Sequence, residues 1–309
     1  MYMKKGIVRL LAAGFILLNI SAAFHGYQFT HFADADESKT QASELSFGDK
    51  LFVLFFGIAN PRPQTQAYPK VEYQSIQVPS GEELLEVWDI MVENAKGYVI
   101  LFHGYSGEKS AMLRRAALIR EMGYNTMLVD FRASGGSSGN TTSIGYKESE
   151  DVRAVVNYLM ERGSEEIYLL GTSMGAAAIL KAMSENDTGI QAVIIECPFG
   201  SLLQTAKNRF ENMGVPSFPA AHLLVFWGGV ENGFWGFGHN PANYSKKVQI
   251  PTLLIYGELD GRVKRAEIDD IYANLAGKKE LLLFPTAGHG NYLEVDEAKW
   301  IENVRSFLK

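Results

Sequence analysis

The stretch "EIYLLGTSMGAAAILKAM" (Glu166 to Met183) joins two different structural patterns through a single serine. "EIYLL" is a short continuous apolar run, typical of a buried strand, and "AAAILKAM" has the spacing of a buried helix. Between them, "GTSMG" matches G-x-S-x-G, the pattern of a serine held on a sharp strand-to-helix turn. The glycines on either side of Ser173 leave room for the backbone to pack closely through such a turn. We therefore predict that the Ser173 hydroxyl is presented at one end of a sheet.

A second stretch, "GGSSG" (Gly135 to Gly139), matches the same pattern around Ser137. The strand-like run "NTMLVDF" ends six residues before this serine, and "SGNTTSIGY" after it has the composition of a loop. Ser137 therefore lacks both the entering strand and the leaving helix. We interpret it as a loop residue beside the site and assign the nucleophile position to Ser173.

The rest of the chain beyond Val71 predicts the fold class. Two early stretches, "VEYQSIQV" and "EVWDIMV", alternate in polarity and predict an antiparallel strand pair at the edge of a sheet. Continuous apolar runs, separated by helical patterns, predict strands that are buried on both faces: "GYVILF" (97–102), "NTMLVDF" (125–131), "EIYLL" (166–170), "AVIIE" (192–196), "TLLIYG" (252–257) and "ELLLFP" (280–285). This order indicates an α/β domain over residues 71–309, with a mostly parallel central sheet and helices on both faces. Sites in such sheets form at the carboxyl ends of the strands.

About fifty residues between "AVIIE" and "TLLIYG" interrupt this alternation. They include "VPSFPAAHLLVFWGGVENGFWGFGHNPANY", which is rich in aromatic residues, glycine and proline. An insertion of this length above a sheet is commonly a lid, and we place it at about residues 201–246. A pair of packing helices with aromatic anchors is the simpler alternative, and the two interpretations are compatible.

The first 32 residues have the pattern of a targeting segment. Basic residues precede the apolar run in "MYMKKGIVRLLAAGFILLNISAAF", which is close to the length that spans a bilayer. Charge before the run predicts a cytoplasmic N-terminus and a catalytic domain on the non-cytoplasmic side of the membrane. The aromatic residues of "HGYQFTHF" (His25 to Phe32) suit a membrane interface and favour an uncleaved signal anchor. Cleavage of a signal peptide after Ala23, followed by export, is the alternative, and a buried core helix fits less well.

Residues 33–70 are interpreted as a linker followed by a short apolar helix. "ADADESKTQASE" is polar, and "KLFVLFFGIANPRP" contains nine apolar residues (Leu51 to Ala59), too few to cross a membrane. This segment either docks on the body or lies in the membrane interface, and docking is the favoured interpretation.

A serine hydroxyl becomes an effective nucleophile only beside a base that an acid orients. His289 in "PTAGHGNY" follows the last strand and is the only histidine beyond the lid, which makes it the candidate base. Asp260 in "YGELDGRV" follows the strand "TLLIY" and is the candidate acid. Glu258 is a nearby alternative and Glu196, at the end of "AVIIE", is a more distant one.

Acyl transfer also needs backbone N–H groups directed at the developing oxyanion. "LFHGYSG" (Leu101 to Gly107) follows the predicted third strand, where such a donor is expected. We predict an oxyanion hole formed by the N–H groups of Tyr105 and Met174. The His103 side chain is expected to be a hydrogen-bonded core residue.

Composition excludes several other classes of function. The chain has 309 residues, 47% of them hydrophobic, and a formal net charge of −6, which gives no reason to expect nucleic-acid binding. The single cysteine, Cys197, excludes an intramolecular disulfide, and the sequence has neither a Cys/His cluster nor H-E-x-x-H. We therefore predict no metal and no cofactor, and make no prediction of oligomeric state.

Five motifs in order carry a resemblance to a known family: "HGYSG", "DFRASGGSSG", "GTSMGA", "PTLLIYGELDGRV" and "GHGNY". From about Val71 to Lys309 the chain resembles serine hydrolases of the α/β-hydrolase superfamily, in the branch called serine-aminopeptidase-like or alpha/beta hydrolase domain-containing. Many members of that branch carry an N-terminal membrane segment. Ala133 stands where related chains have the first glycine of the Asp-x-Arg-Gly-x-Gly-x-Ser loop. The sharp turn between strand and helix, called the nucleophile elbow, carries Ser173 here. Because this residue is a serine and not an aspartate, the dehalogenase and epoxide-hydrolase members are poor matches.

The residues and the resemblance together predict hydrolysis of a carboxylic ester, thioester or amide through an acyl-enzyme on Ser173. The aromatic lid and the membrane segment favour an esterase that acts on a small molecule with an apolar acyl chain. An acyltransferase or serine peptidase with the same triad is the nearest alternative. A catalytically silent, membrane-tethered interaction module is the alternative from a different class.

Overall fold

The computed structural model of the chain describes residues 2–33, Gly57 and residues 60–308. Two short strands, β1 (Phe32–Ala33) and β2 (Asn60–Pro61), pair in parallel. Eight further strands form one sheet: β3 (Gln74–Ser80), β4 (Glu83–Ile90), β5 (Tyr98–Phe102), β6 (Asn125–Val129), β7 (Ile167–Thr172), β8 (Ile190–Glu196), β9 (Thr252–Gly257) and β10 (Lys279–Phe284). Their order across the sheet is β3-β4-β6-β5-β7-β8-β9-β10.

The sheet is parallel except at one edge. Strand β4 runs antiparallel to both of its neighbours, β3 and β6, and the other neighbouring pairs are parallel. Every residue of β6 and of β9 is buried, because helices cover both faces there, whereas β3 alternates between exposed and buried residues towards its end. The predicted fold class, including the antiparallel edge, is confirmed.

Helices alternate with the strands along most of the chain. They are α1 (Tyr2–Thr30), α2 (Leu113–Glu121), α3 (Glu148–Glu161), α4 (Met174–Glu185), α5 (Leu202–Asn212), α6 (Ala220–Glu231), α7 (Pro241–Tyr244), α8 (Arg265–Asn274) and α9 (Tyr292–Phe307). A 3₁₀ turn (Lys109–Met112) leads into α2, and α9 is kinked at Asp296. Two separate apolar clusters result, one holding Ile179 and Ile268 of α4 and α8, the other holding Ile119 and Trp300 of α2 and α9. The sheet therefore has a core on each face.

The segment between β8 and β9 forms two packed helices, as the simpler interpretation of this insertion predicts. Helices α5 and α6 pack through Leu202, Ala206, Ala221 and Val225. After α6, the ring of Phe234 stacks on Tyr146, with ring centroids 4.4 Å apart. Aromatic anchoring is therefore present, and the role of this segment as a lid stays a prediction.

The N-terminal segment forms one long helix, α1. Its part from Lys5 to Thr30 is long and apolar enough to cross a membrane, judged by length and composition alone. The end of α1 packs on α6 so closely that a Cβ atom added to Gly26 would lie 3.0 Å from the Gly228 nitrogen. Most of the predicted linker and the predicted short apolar helix, at residues 34–56, 58 and 59, lies outside the described residues.

A buried lysine connects the 3₁₀ turn that contains it to β4 and to the loop after β6. The Lys109 ammonium lies 2.5 Å from Asp130 Oδ2 and 3.3 Å from Glu86 Oε2, and 4.3 Å from the ring centroid of Trp88. Asp130 also accepts hydrogen bonds from the Lys109 N–H at 2.7 Å and from the Gly136 N–H at 2.9 Å. Both side chains of the Lys109–Asp130 pair are fully buried, so each charge depends on the other for compensation.

We expect Lys109→Met to lower the free energy of unfolding by about 3–5 kcal/mol, because it leaves the Asp130 carboxylate buried without a cation. Urea denaturation followed by circular dichroism measures this change. The control is Arg114→Met, which breaks the exposed pair with Glu297 and should lower the free energy of unfolding far less, because solvent screens this pair. Equal losses in the two variants would contradict the expectation.

Candidate active site

Ser173 lies on a strained turn between β7 and α4. Its backbone has φ 53° and ψ −107°, a conformation that a non-glycine residue rarely adopts. The Ser173 N–H donates to the Glu196 carbonyl at 2.8 Å, and the Ser173 carbonyl accepts from the Ala177 N–H at 3.0 Å. The first bond ties the turn to β8 and the second begins α4, so the strained residue is held from both sides.

The two glycines of the motif are required by close contacts. A Cβ atom on Gly171 would lie 2.6 Å from the carbonyl carbon of Gly175. A Cβ atom on Gly175 would lie 2.5 Å from the carbonyl oxygen of Phe102, at the end of β5. Neither position can hold a larger residue unless the first turn of α4 moves away from the sheet. The motif therefore reflects how closely this helix begins against the central strands.

The structure brings Ser173, His289 and Asp260 into one hydrogen-bonded chain. His289 Nε2 lies 3.0 Å from Ser173 Oγ, and His289 Nδ1 lies 2.7 Å from Asp260 Oδ2. Because a carboxylate only accepts, Nδ1 carries a proton, and when the ring is neutral Nε2 accepts from the serine hydroxyl. The other oxygen of Asp260 accepts from the N–H groups of Arg262 and Val263 at 2.7 and 3.0 Å, so the carboxylate is fixed.

The two alternative acids are engaged elsewhere. Glu258 forms a surface ion pair with Arg265, with a nitrogen–oxygen distance of 3.0 Å. Glu196 is fully buried and pairs with Arg115, whose Nη2 lies 2.7 Å from Glu196 Oε2. Among the described residues, neither carboxylate has a hydrogen bond to His289. Asp260 is thus the carboxylate that the fold puts beside the imidazole.

Glu196 and Arg115 instead support the site from behind. The Glu196 carboxylate also accepts from the Thr172 hydroxyl and the Trp300 indole N–H, both at 2.9 Å. Arg115 donates to the Gly290 carbonyl at 2.9 Å, next to His289. Arg115 belongs to no local motif, so sequence reasoning missed it.

Cys197 is a second neighbour that sequence reasoning missed. Its sulfur lies 3.9 Å from His289 Nε2, and the residue is buried with φ 41°. Ligand atoms of Cys197, Asp260 and His289 lie within 4.8 Å of one another, close enough in principle to share a metal ion. Ser173 and Asp260 already engage the two imidazole nitrogens, so an ion here would displace one of them.

The turn that carries the predicted oxyanion donors lies beside the serine. A Cβ atom added to Gly104 would lie 3.6 Å from Ser173 Cβ. Within the described residues, the N–H groups of Tyr105 and Met174 have no hydrogen-bond acceptor. Met174 begins α4, and the first N–H groups of a helix lack partners within the helix. Both N–H groups therefore remain available for an anionic oxygen, and their role stays a prediction.

Two neighbouring side chains are engaged within the protein. His103 is fully buried, its Nε2 accepts from the Phe131 N–H at 3.1 Å, and burial lowers the pKa of the ring, as expected for a core histidine. Ser137 is buried in the loop after β6, donates to the Asp130 carbonyl at 2.7 Å and accepts from the Glu86 N–H at 2.9 Å. Its hydroxyl therefore fixes this loop to β4 and does not point to a substrate.

An apolar cavity lies next to segments that contact the side chains of Tyr105 and Met174. It lies between the end of α1, helices α5 and α6, and the loop before α3, and is lined by residues that include Gly26, Phe29, Ile144, Leu202, Ala206 and Gly228. The Tyr105 hydroxyl donates to the Phe29 carbonyl at 2.7 Å. Thr142, in the loop that contains Ile144, contacts the Met174 sulfur at 3.6 Å. The cavity is therefore separated from Ser173 by the residues of these two contacts.

The surroundings of His289 control its charge. Burial alone would lower the pKa of this imidazole, but the Cys197 sulfur and the Asp260 carboxylate beside the ring raise the pKa to about 10. The folded state thus binds the proton more tightly than the unfolded chain. Its contribution to the free energy of unfolding is complete below pH 6.5 and is lost as the pH rises towards 10.

The chain is similar to known proteins in both sequence and structure. The family model described as serine aminopeptidase, S33, matches residues 93–221. The protein YqkD of Bacillus subtilis (strain 168) is 23% identical over 248 residues, covering 79% of this chain and 81% of YqkD. YfhR of Escherichia coli (strain K12) is 27% identical over 202 residues, covering 64% of each chain, so the match spans slightly less than two thirds of YfhR. The solved structure of the Pyrococcus furiosus esterase Pf2001 is 27% identical, with a TM-score of 0.66 over 80% of this chain and 95% of the esterase.

We expect His289 to titrate above pH 6.5 in the folded protein, because the groups around the ring favour its protonated form. NMR titration of the imidazole, assigned by its loss in His289→Gln, measures the midpoint. Cys197→Ala and Asp260→Asn should each lower it, whereas Glu258→Gln, outside the site, should leave it unchanged. A midpoint at or below 6.5 in the unsubstituted protein would contradict the expectation.

Proposed function

We propose that this chain, which has the α/β-hydrolase fold, is a serine hydrolase that cleaves carboxylic esters. The observation that carries this proposal is the hydrogen-bonded chain from Ser173 through His289 to Asp260. Two backbone N–H groups without acceptors lie beside it, where an oxyanion would form. The likeness to an enzyme described as an esterase supports esters as the substrate class.

The proposed mechanism has two similar halves. His289 Nε2 takes the proton of Ser173 Oγ as this oxygen bonds to the ester carbonyl carbon. The N–H groups of Tyr105 and Met174 stabilise the tetrahedral oxyanion. The bond to the leaving alkoxide then breaks, and His289 donates its proton to that oxygen. Water repeats the sequence on the acyl-enzyme and releases the carboxylic acid.

Asp260 acts on the imidazole throughout both halves. Its carboxylate holds the proton on Nδ1, so Nε2 faces the serine in the form that accepts a proton. When His289 becomes positively charged, the same carboxylate stabilises the cation. Two backbone N–H groups hold Asp260 in place, and this geometry therefore does not depend on a flexible side chain.

The adjoining cavity supports an apolar acyl group in the substrate. Its lining is mainly apolar, from Phe29, Ile144, Leu202 and Ala206, and it is bounded by the helix pair α5 and α6 of the proposed lid. An acyl chain there would contact Phe29, whose carbonyl accepts from the Tyr105 hydroxyl. Thioesters and amides would use the same groups, and an amide needs more activation of its leaving group than an ester does.

We also propose that α1 is an uncleaved membrane anchor, with the catalytic domain on the non-cytoplasmic side. Its length and apolar composition support a span, and Lys4, Lys5 and Arg9 near its start support a cytoplasmic N-terminus. The helix also continues without a break past Ala23 into the contact between Gly26 and Gly228. Cleavage after Ala23 would divide a helix whose last turns line the cavity.

We expect a fluorophosphonate probe to label the full-length protein and to lose that labelling in Ser173→Ala, because the Ser173 hydroxyl lies beside the His289 imidazole that Asp260 orients. Gel fluorescence measures the labelling. Ser137→Ala, checked for folding by near-UV circular dichroism, should still be labelled. Persistent labelling of Ser173→Ala would refute the assigned nucleophile, and no labelling of the unsubstituted protein would favour a silent interaction module.

A second prediction concerns the acyl group. A Cβ atom added to Gly228 would meet only Thr30 Cγ2, at 3.9 Å, so Gly228→Leu should extend into the cavity that both residues line. We expect it to reduce kcat/KM for p-nitrophenyl octanoate by at least about tenfold relative to p-nitrophenyl acetate. Val230→Leu, on the exposed part of α6, is the matched control and should leave the ratio unchanged. An unchanged ratio in Gly228→Leu would rule out this cavity as the acyl site.

A further inference from the structure

A second apolar groove lies on α1, further from the active site. Its lining is Phe15, Ile16, Asn19, Ile20, Ala23 and Phe24 of α1 with Trp227 of α6, and we call it the helix groove. The Trp227 indole N–H donates to Asn19 Oδ1 at 3.2 Å. Because these two polar groups bond to each other, they offer little to a polar ligand. The groove lies within Lys5–Thr30, the part of α1 that is long and apolar enough to cross a membrane.

The helix groove and the cavity at the active site lie on consecutive turns of the same two helices. Ala23 and Phe24 line the groove, and Gly26 lines the cavity; on α6, Trp227 lines the groove and Gly228 the cavity. Between them, α1 and α6 cross at Gly26 and Gly228, where the backbones approach without an intervening side chain. A small separation of the helices at this crossing is therefore enough to join the two spaces.

The outer surface of α6 continues the apolar surface of α1. Phe226 and Val230 of α6 are 37% and 53% exposed, and Phe218 and Trp235, before and after the helix, are 74% and 63% exposed. Helix α6 contains one charged residue, Glu231, at its end. Exposed aromatic and aliphatic side chains beside a membrane-crossing helix fit a lipid bilayer better than water.

From these features we propose that the acyl chain of a bilayer lipid occupies the helix groove and enters the cavity laterally through the α1–α6 crossing. This inference rests on the proposed ester hydrolysis and anchoring. It assigns the substrate to a class, amphiphilic lipid esters whose chain stays in the bilayer while the ester group reaches Ser173. Helix α6 is then both a wall of the acyl site and a part of the membrane-facing surface.

The test uses the full-length protein in phosphatidylcholine nanodiscs with two substrates. p-Nitrophenyl palmitate partitions into the bilayer and p-nitrophenyl acetate stays largely in water. Ala23→Phe fills the helix groove, and we expect it to reduce palmitate hydrolysis by at least about tenfold and acetate hydrolysis by less than about twofold. Gly14→Phe is the matched control, because Gly14 does not line the groove and a Cβ atom there meets nothing within 4 Å. Unchanged palmitate hydrolysis in Ala23→Phe, or an equal loss on both substrates, would overturn the route.

A second readout does not need catalysis. In Ser173→Ala nanodiscs made with chain-brominated phosphatidylcholine, lipid in the helix groove should quench the fluorescence of Trp227. Each protein also carries Trp235→Phe, because the exposed Trp235 ring on the same surface would be quenched as well. In this background the quenched component should disappear when Trp227→Phe is added and persist when Trp300→Phe is added, because Trp300 is fully buried in the core. Absence of a quenched Trp227 component would overturn the inference. A protein that hydrolyses neither ester but shows this quenching would refute the proposed function and leave the lipid groove supported.

Discussion

The site depends on how closely α4 begins against the end of β5. The space between Gly175 and the Phe102 carbonyl excludes even a Cβ atom, so the helix starts directly on the sheet. This close start goes with the strained conformation of Ser173 and leaves the Met174 N–H without an acceptor in the part of the chain that the structure describes. It also brings Ser173 Cβ to within reach of the Gly104 turn. One backbone contact thus positions the hydroxyl and both candidate oxyanion donors.

The other half of the site comes from loops after β9 and β10, and a buried ion pair couples it to the elbow. The Glu196 carbonyl accepts from the Ser173 N–H, while the Glu196 carboxylate pairs with Arg115. Arg115 in turn holds the Gly290 carbonyl beside His289. The relative position of serine and histidine is therefore determined by charged groups that have no role in the proposed chemistry. Burial makes this arrangement rigid, because a displaced partner would leave an uncompensated charge in the interior.

Helix α1 is part of the site as well as a candidate anchor. The Phe29 carbonyl accepts from the Tyr105 hydroxyl, and the Phe29 ring lies 4.4 Å from the guanidinium of Arg209 on α5. The last turn of α1 thus connects Tyr105, a predicted oxyanion donor, to helix α5 of the proposed lid. Helix α1 would then serve both for attachment to a membrane and for access to the serine. Helix α6 packs on α1, and its apolar and aromatic residues fit this position.

The sequence by itself determined the fold class and the positions of the central strands, because these follow from local patterns. "TLLIYG" coincides with β9, and β7 extends beyond "EIYLL" by only two residues, to Thr172. The same patterns identified Ser173, Asp260 and His289 as candidates, since each lies in a short motif at the end of a strand. Periodicity predicts the strand that leads into Ser173 and the helices that flank the sheet. The placement of glycines predicts the sharp turn at Ser173.

Only the tertiary structure decided what surrounds these residues. Arg115 and Glu196 lie 81 residues apart, and Tyr105 and Phe29 lie 76 apart, so no local pattern reveals either contact. The proximity of Cys197 to His289 likewise arises from packing between distant segments, as does the bond from the Glu86 N–H of β4 to the Ser137 hydroxyl. Periodicity states which face of an element is buried, whereas the partner on that face is set by the shape of the assembled chain.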